Sequence, residues 1–246
     1  MGENKLLIFN ADDYGRTPEI SAGILECFRN GVVRNTTAMM GFATANDMSA
    51  LKESGIACGL HFTLTAGAPL ADWPDDLLDA EGRMMRNFDG VPQEIMSDEL
   101  CAQWDALVAC GIIPTHIDSH HHVHADPRVL SVVIELAIKR GVPVRPANDL
   151  VAAQLKRYGI VHPDSFSTEF YGREKISSGT IYEVLRNAAS GSLEIMCHPG
   201  YSSAALEASS SYAKERMAEL AVLTGGWFAL EIERLGWLLG NYRDIR

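Results

Sequence analysis

The stretch HIDSHHHVH, residues 116–124, holds five of the chain's eight histidines and one aspartate, Asp118. Neutral imidazole is the commonest metal-binding side chain, and a nearby carboxylate can fix a ligating ring through its second nitrogen. Along an extended strand alternate side chains share a face, which would point His116, Asp118, His120, His122 and His124 the same way. A solvated histidine-rich loop or the remnant of a tag is the plainer alternative. A tag would sit at a terminus, however, and the flanking Ile117 and Val123 have the character of structure.

Other segments also end on residues able to do chemistry. Asn10-Ala11-Asp12-Asp13-Tyr14-Gly15 follows a short apolar run, and its two carboxylates could divide labour between holding a cation and taking a proton. An Asx-type turn capping the next helix would use the same residues. His61 lies inside the apolar stretch 59–65, where a satisfied core histidine is the commoner outcome. His198 closes the run 194–197 just ahead of Pro199-Gly200, a good place for a proton-transfer group. Arg145, between Val144 and Pro146, could orient a carboxylate, contact substrate or form a surface salt bridge. Met39 and Met40 read as core packing. Cys197, adjacent to His198 on a strand, would face away from it, which excludes a Cys–His nucleophilic pair.

These residues need elements to bring them together. Short apolar β-branched runs predict strands over 5–9, 36–40, 56–64, 115–119, 142–145 and 193–197. Between them, helices are predicted over about 17–30, 46–53, 126–140, 181–189 and 212–223. Thr17-Pro18-Glu19 supplies an N-cap, an N1 proline and an early acid, and Asp126-Pro127 repeats the cap and proline. Alternation of this kind means parallel βα units. Six or seven such units in one chain predict a single-domain α/β fold, a distorted or incomplete (β/α) barrel, with a doubly wound open sheet as the alternative. Both put a site at the carboxyl ends of the strands. Four predicted strand ends deliver Asp12/Asp13, His61, the histidine cluster and His198. One Asp and two His around a divalent ion leave positions open for water and substrate. Residues 66–97 break the rhythm with Pro69, Pro74, Pro92, Trp73 and many acids, and are expected to form a long insertion loop near the site.

The 246 residues carry 21 Lys+Arg against 32 Asp+Glu, a formal net charge of −11. That balance lacks the electrostatic footprint of a nucleic-acid or anionic-membrane binder. No window reaches the roughly 18 uninterrupted apolar residues of a membrane span, and the N-terminus has no signal-peptide character. Five scattered cysteines without a C-x-x-C pair read as reduced thiols. A cytoplasmic protein with no nucleic-acid or membrane partner is expected, and a homodimer is the base-rate expectation.

The stretches NADDYG, NTTAMM, GLHFTLTAG with Pro69 after it, PTHIDSHHHVH, FYG at Phe170 to Gly172, and EIMCHPGY run in order to about residue 201. Together they resemble the YdjC-like carbohydrate deacetylases, whose best-described members are chito-oligosaccharide deacetylases. The resemblance implies a distorted barrel related in plan to that of the polysaccharide deacetylases. It implies a metal site of Asp13, His61 and His120, with His122 as second choice for the last ligand. It further implies Asp12 as general base and His198 as general acid. Asp118, His122 and Arg145 are expected to support them or bind substrate. Trp73 from the long loop would stack on a small carbohydrate substrate. The family is usually described with one Mg²⁺, although the Asp-His-His donors would suit Zn²⁺ or another transition ion on softness grounds. Tyr14 stands where many relatives carry Phe.

The implied reaction is hydrolysis of an N-acetyl group on a sugar or oligosaccharide. Asp12 would take a proton from the attacking water and His198 would protonate the departing amine. Two readings compete. One is a metal-dependent phosphoesterase or another amidase on the same barrel, which for phosphate would want two metals or a basic clamp. The other is a non-catalytic metal- or sugar-binding protein, which has no need of both Asp12 and His198.

Overall fold

Strand β1 (Lys5–Tyr14) is buried over its last eight residues without alternation, as a strand covered on both faces must be. The computed structural model describes residues 5–189 and 191–245, and β1 is the axis on which the rest assembles. Along the chain follow α1 (Pro18–Asn30), β2 (Asn35–Ala38), α2 (Ala45–Ser54), β3 (Ala57–Phe62), α3 (Gln93–Ala109), β4 (Ile117–Ser119) and α4 (Pro127–Arg140). The second half contains α5 (Asp149–Arg157), β5 (Ser165–Ser167), α6 (Ser178–Asn187), β6 (Ser192–Cys197), α7 (Ala204–Ser209), α8 (Lys214–Leu223), α9 (Phe228–Arg234) and β7 (Trp237–Leu239).

The strands pair in the order β4-β3-β2-β1-β6-β5, all parallel, and curl into the expected incomplete barrel wrapped by helices. The β1 residues below β2 are taken by β7, with Lys5 opposite Trp237, whereas β2 joins only at Asn10. The cap signals work as read. Thr17 accepts from the Ile20 amide ahead of Pro18, Asp126 accepts from Arg128 ahead of Pro127, and α4 stops at Gly141 in the left-handed region, φ 66°. Helix α1 turns Ile20, Ile24, Leu25 and Cys27 inward. The five cysteines are free thiols, and among the described residues no helix is long and apolar enough to cross a membrane.

Several expectations need correction. β1 does not end at residue 9 but runs through both aspartates. The histidine-rich run is not an extended strand: β4 stops at Ser119, and residues 120–125 wind into a tight 3₁₀ turn with His121 and His122 at positive φ. Residues 142–145 make only a single parallel bridge, Val144 to Ile117, because Pro143 and Pro146 remove ladder donors on either side. The 66–97 segment is less a free loop than a packed one. It holds a turn at Asp75–Leu77, a bridge between Leu78 and Met84, and buried Trp73, Met84 and Val91, and its last residues begin α3.

Close backbone approach fixes where the β6 end lies. A Cβ built on Gly23 of α1 would stand 2.4 Å from the Gly200 Cα, two residues beyond His198. Gly23→Ala must therefore push the Pro199-Gly200 turn away from α1. The expected outcome is a loss of about 1–3 kcal/mol, read as a Tm several degrees lower in thermal unfolding. An unchanged Tm would show that the two segments do not need this contact.

Candidate metal centre and active site

All the chemistry-bearing strand ends meet in one cleft of about 550 Å³. Adjacent residues of a regular strand point to opposite faces, yet Asp12 and Asp13 both line it. The pairing of β1 with β2 slips between Ala11 and Tyr14, and Asp13 adopts φ 73°. This bulge turns both carboxylates into the cleft.

Asp13 Oδ1 faces His61 Nε2 at 3.4 Å and His120 Nδ1 at 3.1 Å. One donor atom from each of Asp13, His61 and His120 lies within 4.8 Å of the others, and all three residues are buried. Asp13 Oδ1 and His120 Nε2 have no hydrogen-bond partner, and buried polar atoms of that kind ask for a ligand. The donor set therefore fits one divalent ion. His61 is oriented as a ligand should be, with Nδ1 held by Asp118 Oδ1 at 2.7 Å. Asp118 in turn accepts from Thr37 at 3.1 Å and Asn10 at 3.2 Å.

Asp12, His61 and Asp118 form a second cluster of similar size, but Arg145 has taken its carboxylates. The Arg145 guanidinium is fully buried and grips Asp12 with two bonds of 2.7 Å, Asp118 at 2.8 Å and Glu194 at 2.7 Å. It is neither a surface ion pair nor a cleft residue. Burial would raise the Asp12 pKa, but Arg145 overrides it and holds the carboxyl well below its usual range. Asp12 therefore stays ionised with its oxygens on Arg145, next to Asp13, which faces the two histidines.

His198, just beyond β6 and next to Asp12 by the β1–β6 register, lines the same cleft. Its amide donates to Glu219 Oε2 at 2.5 Å, its ring lies edge-on to Tyr171 and Tyr212, and its Nδ1 is buried without a partner. Burial drives the ring down to about 3 against the pull of Asp12 and Asp13, so it rests neutral.

The remaining histidines separate. His121 takes a bond from Arg86 at 3.3 Å and meets Thr65 at 2.8 Å. His122 lines the cleft but packs edge-on against Phe166 rather than against Asp13. His124 is buried on the Arg145 carbonyl at 3.1 Å, and His116 stacks on Tyr242 at 3.6 Å near the barrel floor. Trp73 is buried in the core and does not line the cleft.

Helix α8 carries functional residues that sequence reading passed over. Arg216 pairs with the second oxygen of Asp13 and donates to the Tyr212 carbonyl at 3.1 Å. Glu219 binds both the His198 amide and the Tyr212 hydroxyl. The available signal was the spacing of Arg216 and Glu219, three apart on one face of α8, with Tyr212 just ahead of the helix. With Arg16 and Arg86, Arg216 also gives the cleft a cationic lining that the acidic chain does not announce.

The profile of the family described as YdjC-like protein matches residues 6–234. A carbohydrate deacetylase of Geobacillus stearothermophilus is 37% identical, the match covering 97% of each chain. A chitooligosaccharide deacetylase of Escherichia fergusonii is 36% identical over 98% of this chain and 99% of its own. Among solved structures, a protein of Enterococcus faecalis V583 superposes with a TM-score of 0.88 at 32% identity, covering 99% of both chains. A family 4 carbohydrate esterase from Streptomyces lividans shares the fold at a TM-score of 0.57 and 14% identity, covering 100% of this chain and 97% of its own. Matched from the first strand almost to the last, this chain belongs to the YdjC-like family.

Proposed function

We propose that this chain is a metal-dependent deacetylase that removes an acetyl group from an N-acetylated sugar or chito-oligosaccharide, giving acetate and an amino sugar. The observation that carries the reading is the division between adjacent carboxylates: Asp13 faces two histidines, while Arg145 holds Asp12 apart. The relatives named carbohydrate deacetylase and chitooligosaccharide deacetylase support it.

Asp13, His61 and His120 would hold the ion, Mg²⁺ by the family resemblance, and their donors suit Zn²⁺ as well. Bound there, a divalent cation supplies Lewis acidity and a water of lowered pKa. Asp12 accepts the water's proton at a carboxylate oxygen whose plane Arg145 fixes. His198, neutral at rest, would receive the proton that Asp12 has taken from the water and pass it to the leaving amine. Without that transfer C–N cleavage would expel an amide anion. Free thiols support placement in the cytoplasm, and a homodimer is proposed from base rates.

The phosphoesterase alternative lacks a second metal site, since the only other cluster among the described residues shares His61 and has its two carboxylates bonded to Arg145.

His61→Ala and His120→Ala are expected to purify without bound metal. Asp12→Asn keeps the metal and loses about 10²–10⁴-fold in turnover, measured by elemental analysis beside an acetate-release assay. Full activity in Asp12→Asn would remove the base. Metal loading is also expected to depend on pH. Burial lowers the His61 pKa, but Asp118, Asp13 and Asp12 outweigh it and raise it to about 10. The ring of the metal-free protein thus carries two protons at neutral pH, and an ion must displace the one facing Asp13. Apparent Mg²⁺ or Zn²⁺ affinity should rise about tenfold per pH unit between about pH 7 and 9. Calorimetry in buffers of different ionisation heat reads the released proton, and a flat affinity would contradict this picture.

A further inference from the structure

The FYG stretch is built as an anchor, a platform and a pivot. Phe170 is 1% exposed and locks into the core, whereas Tyr171 is 46% exposed at the rim of the cleft. Gly172 then takes φ 101°, a backbone open to glycine at little cost. The Tyr171 ring lies nearly parallel to Tyr212, 14° between planes and 4.4 Å between centroids. Tyr212 cannot drift: its hydroxyl donates to buried Glu219 and accepts from the Gly172 amide at 3.2 Å, and its carbonyl takes the Arg216 bond. A half-exposed aromatic is thereby held rigid before any ligand arrives, which lowers the ordering cost of binding.

Its place relative to the reacting atoms follows from the proposed deacetylation, on which this inference rests. His198 must reach the nitrogen that leaves, and that nitrogen is bonded directly to the sugar ring. The ring bearing the amine therefore lies on the His198 side of the cleft, with the acetyl methyl directed away from it. Tyr171 stands there, 5.4 Å between its centroid and that of His198. We infer that Tyr171 is the stacking platform for the pyranose ring that carries the acetamide, taking the role that the sequence assigned to Trp73. A pyranose offers a face of axial C–H groups, and the electron-rich face of an aromatic ring receives them. Thr168, Ser210 and Ser211 line the same cleft.

The test uses Mg²⁺-loaded protein and the β-1,4-linked disaccharide of N-acetylglucosamine, with saturation-transfer NMR for binding and acetate release for turnover. Tyr171→Ala should raise KM about tenfold, weaken binding by a similar factor and affect kcat less. Tyr171→Phe, which keeps the ring, should stay within about twofold of the wild type. Elemental analysis checks that metal is retained, and Tyr171→Leu replaces the alanine variant if it is not. A KM within about twofold of wild type in the ring-less variant overturns the platform, as does equal impairment of the Phe and Ala variants, which would assign the effect to the hydroxyl. Tyr171-dependent binding without any acetate release leaves Tyr171 as a sugar platform but sinks the deacetylation reading and, with it, the placing of the acetamide-bearing ring. A wild-type protein that binds no disaccharide overturns both.

Discussion

One guanidinium buried among three carboxylates governs this barrel. Arg145 has no exposed surface and touches Asp12, Asp118 and Glu194, with the Phe166 ring 5.0 Å beneath it. Taking such charges out of water costs several kcal/mol per ion, recovered only when each finds good partners. The barrel interior is accordingly polar where the arginine lies: Asn10, Asn35 and Thr37 tie the carboxylates together, and Tyr242 donates to Glu194 at 2.5 Å. One positive charge does not fully offset three negative ones. Burial pushes the Glu194 carboxyl up to about 7 in spite of the pull of Arg145 and Tyr242.

This arrangement lets two adjacent side chains with the same chemistry behave differently. Asp12 has its oxygens committed to Arg145, while Asp13 keeps one oxygen for the histidines and gives the other to Arg216. Environments that push equivalent carboxylates apart are a general route to separate roles. The same α8 face that supplies Arg216 also anchors the His198 backbone through Glu219. Asp13 and His198 thus share one support. A displacement of α8 would move both at once.

The alternation of strands and helices was legible because caps and apolar runs are local: Thr17-Pro18, Asp126-Pro127 and Gly141 mark boundaries by their own backbone chemistry. The coincidence of Asp13, His61 and His120 was legible because parallel strands deliver their ends to one side. The fate of the histidine run was not. Period-two reasoning assumes an unbroken strand, and nothing local announces that the chain leaves the ladder at Ser119. Arg145 was open to three readings because its partners lie 27, 49 and 133 residues away along the chain. Trp73 misled for a related reason. An aromatic in an irregular, acidic stretch looks available for a ligand, and only tertiary packing shows it filling the core. Tyr171, by contrast, sat in a stretch singled out for its resemblance with no role attached.

Among the described residues, Asp13, His121 and His122 are the non-glycine positions with φ in the left-handed range, and all three border the cleft. For an ordinary L-residue that conformation costs roughly 1–2 kcal/mol, and strain of this sort is tolerated where surrounding structure enforces it. Glycine would relax every one of these positions, and at Asp13 it would delete the side chain for which the distortion exists. At Asp13, then, the substitution that would ease the backbone is also the one that would remove the carboxylate facing His61 and His120.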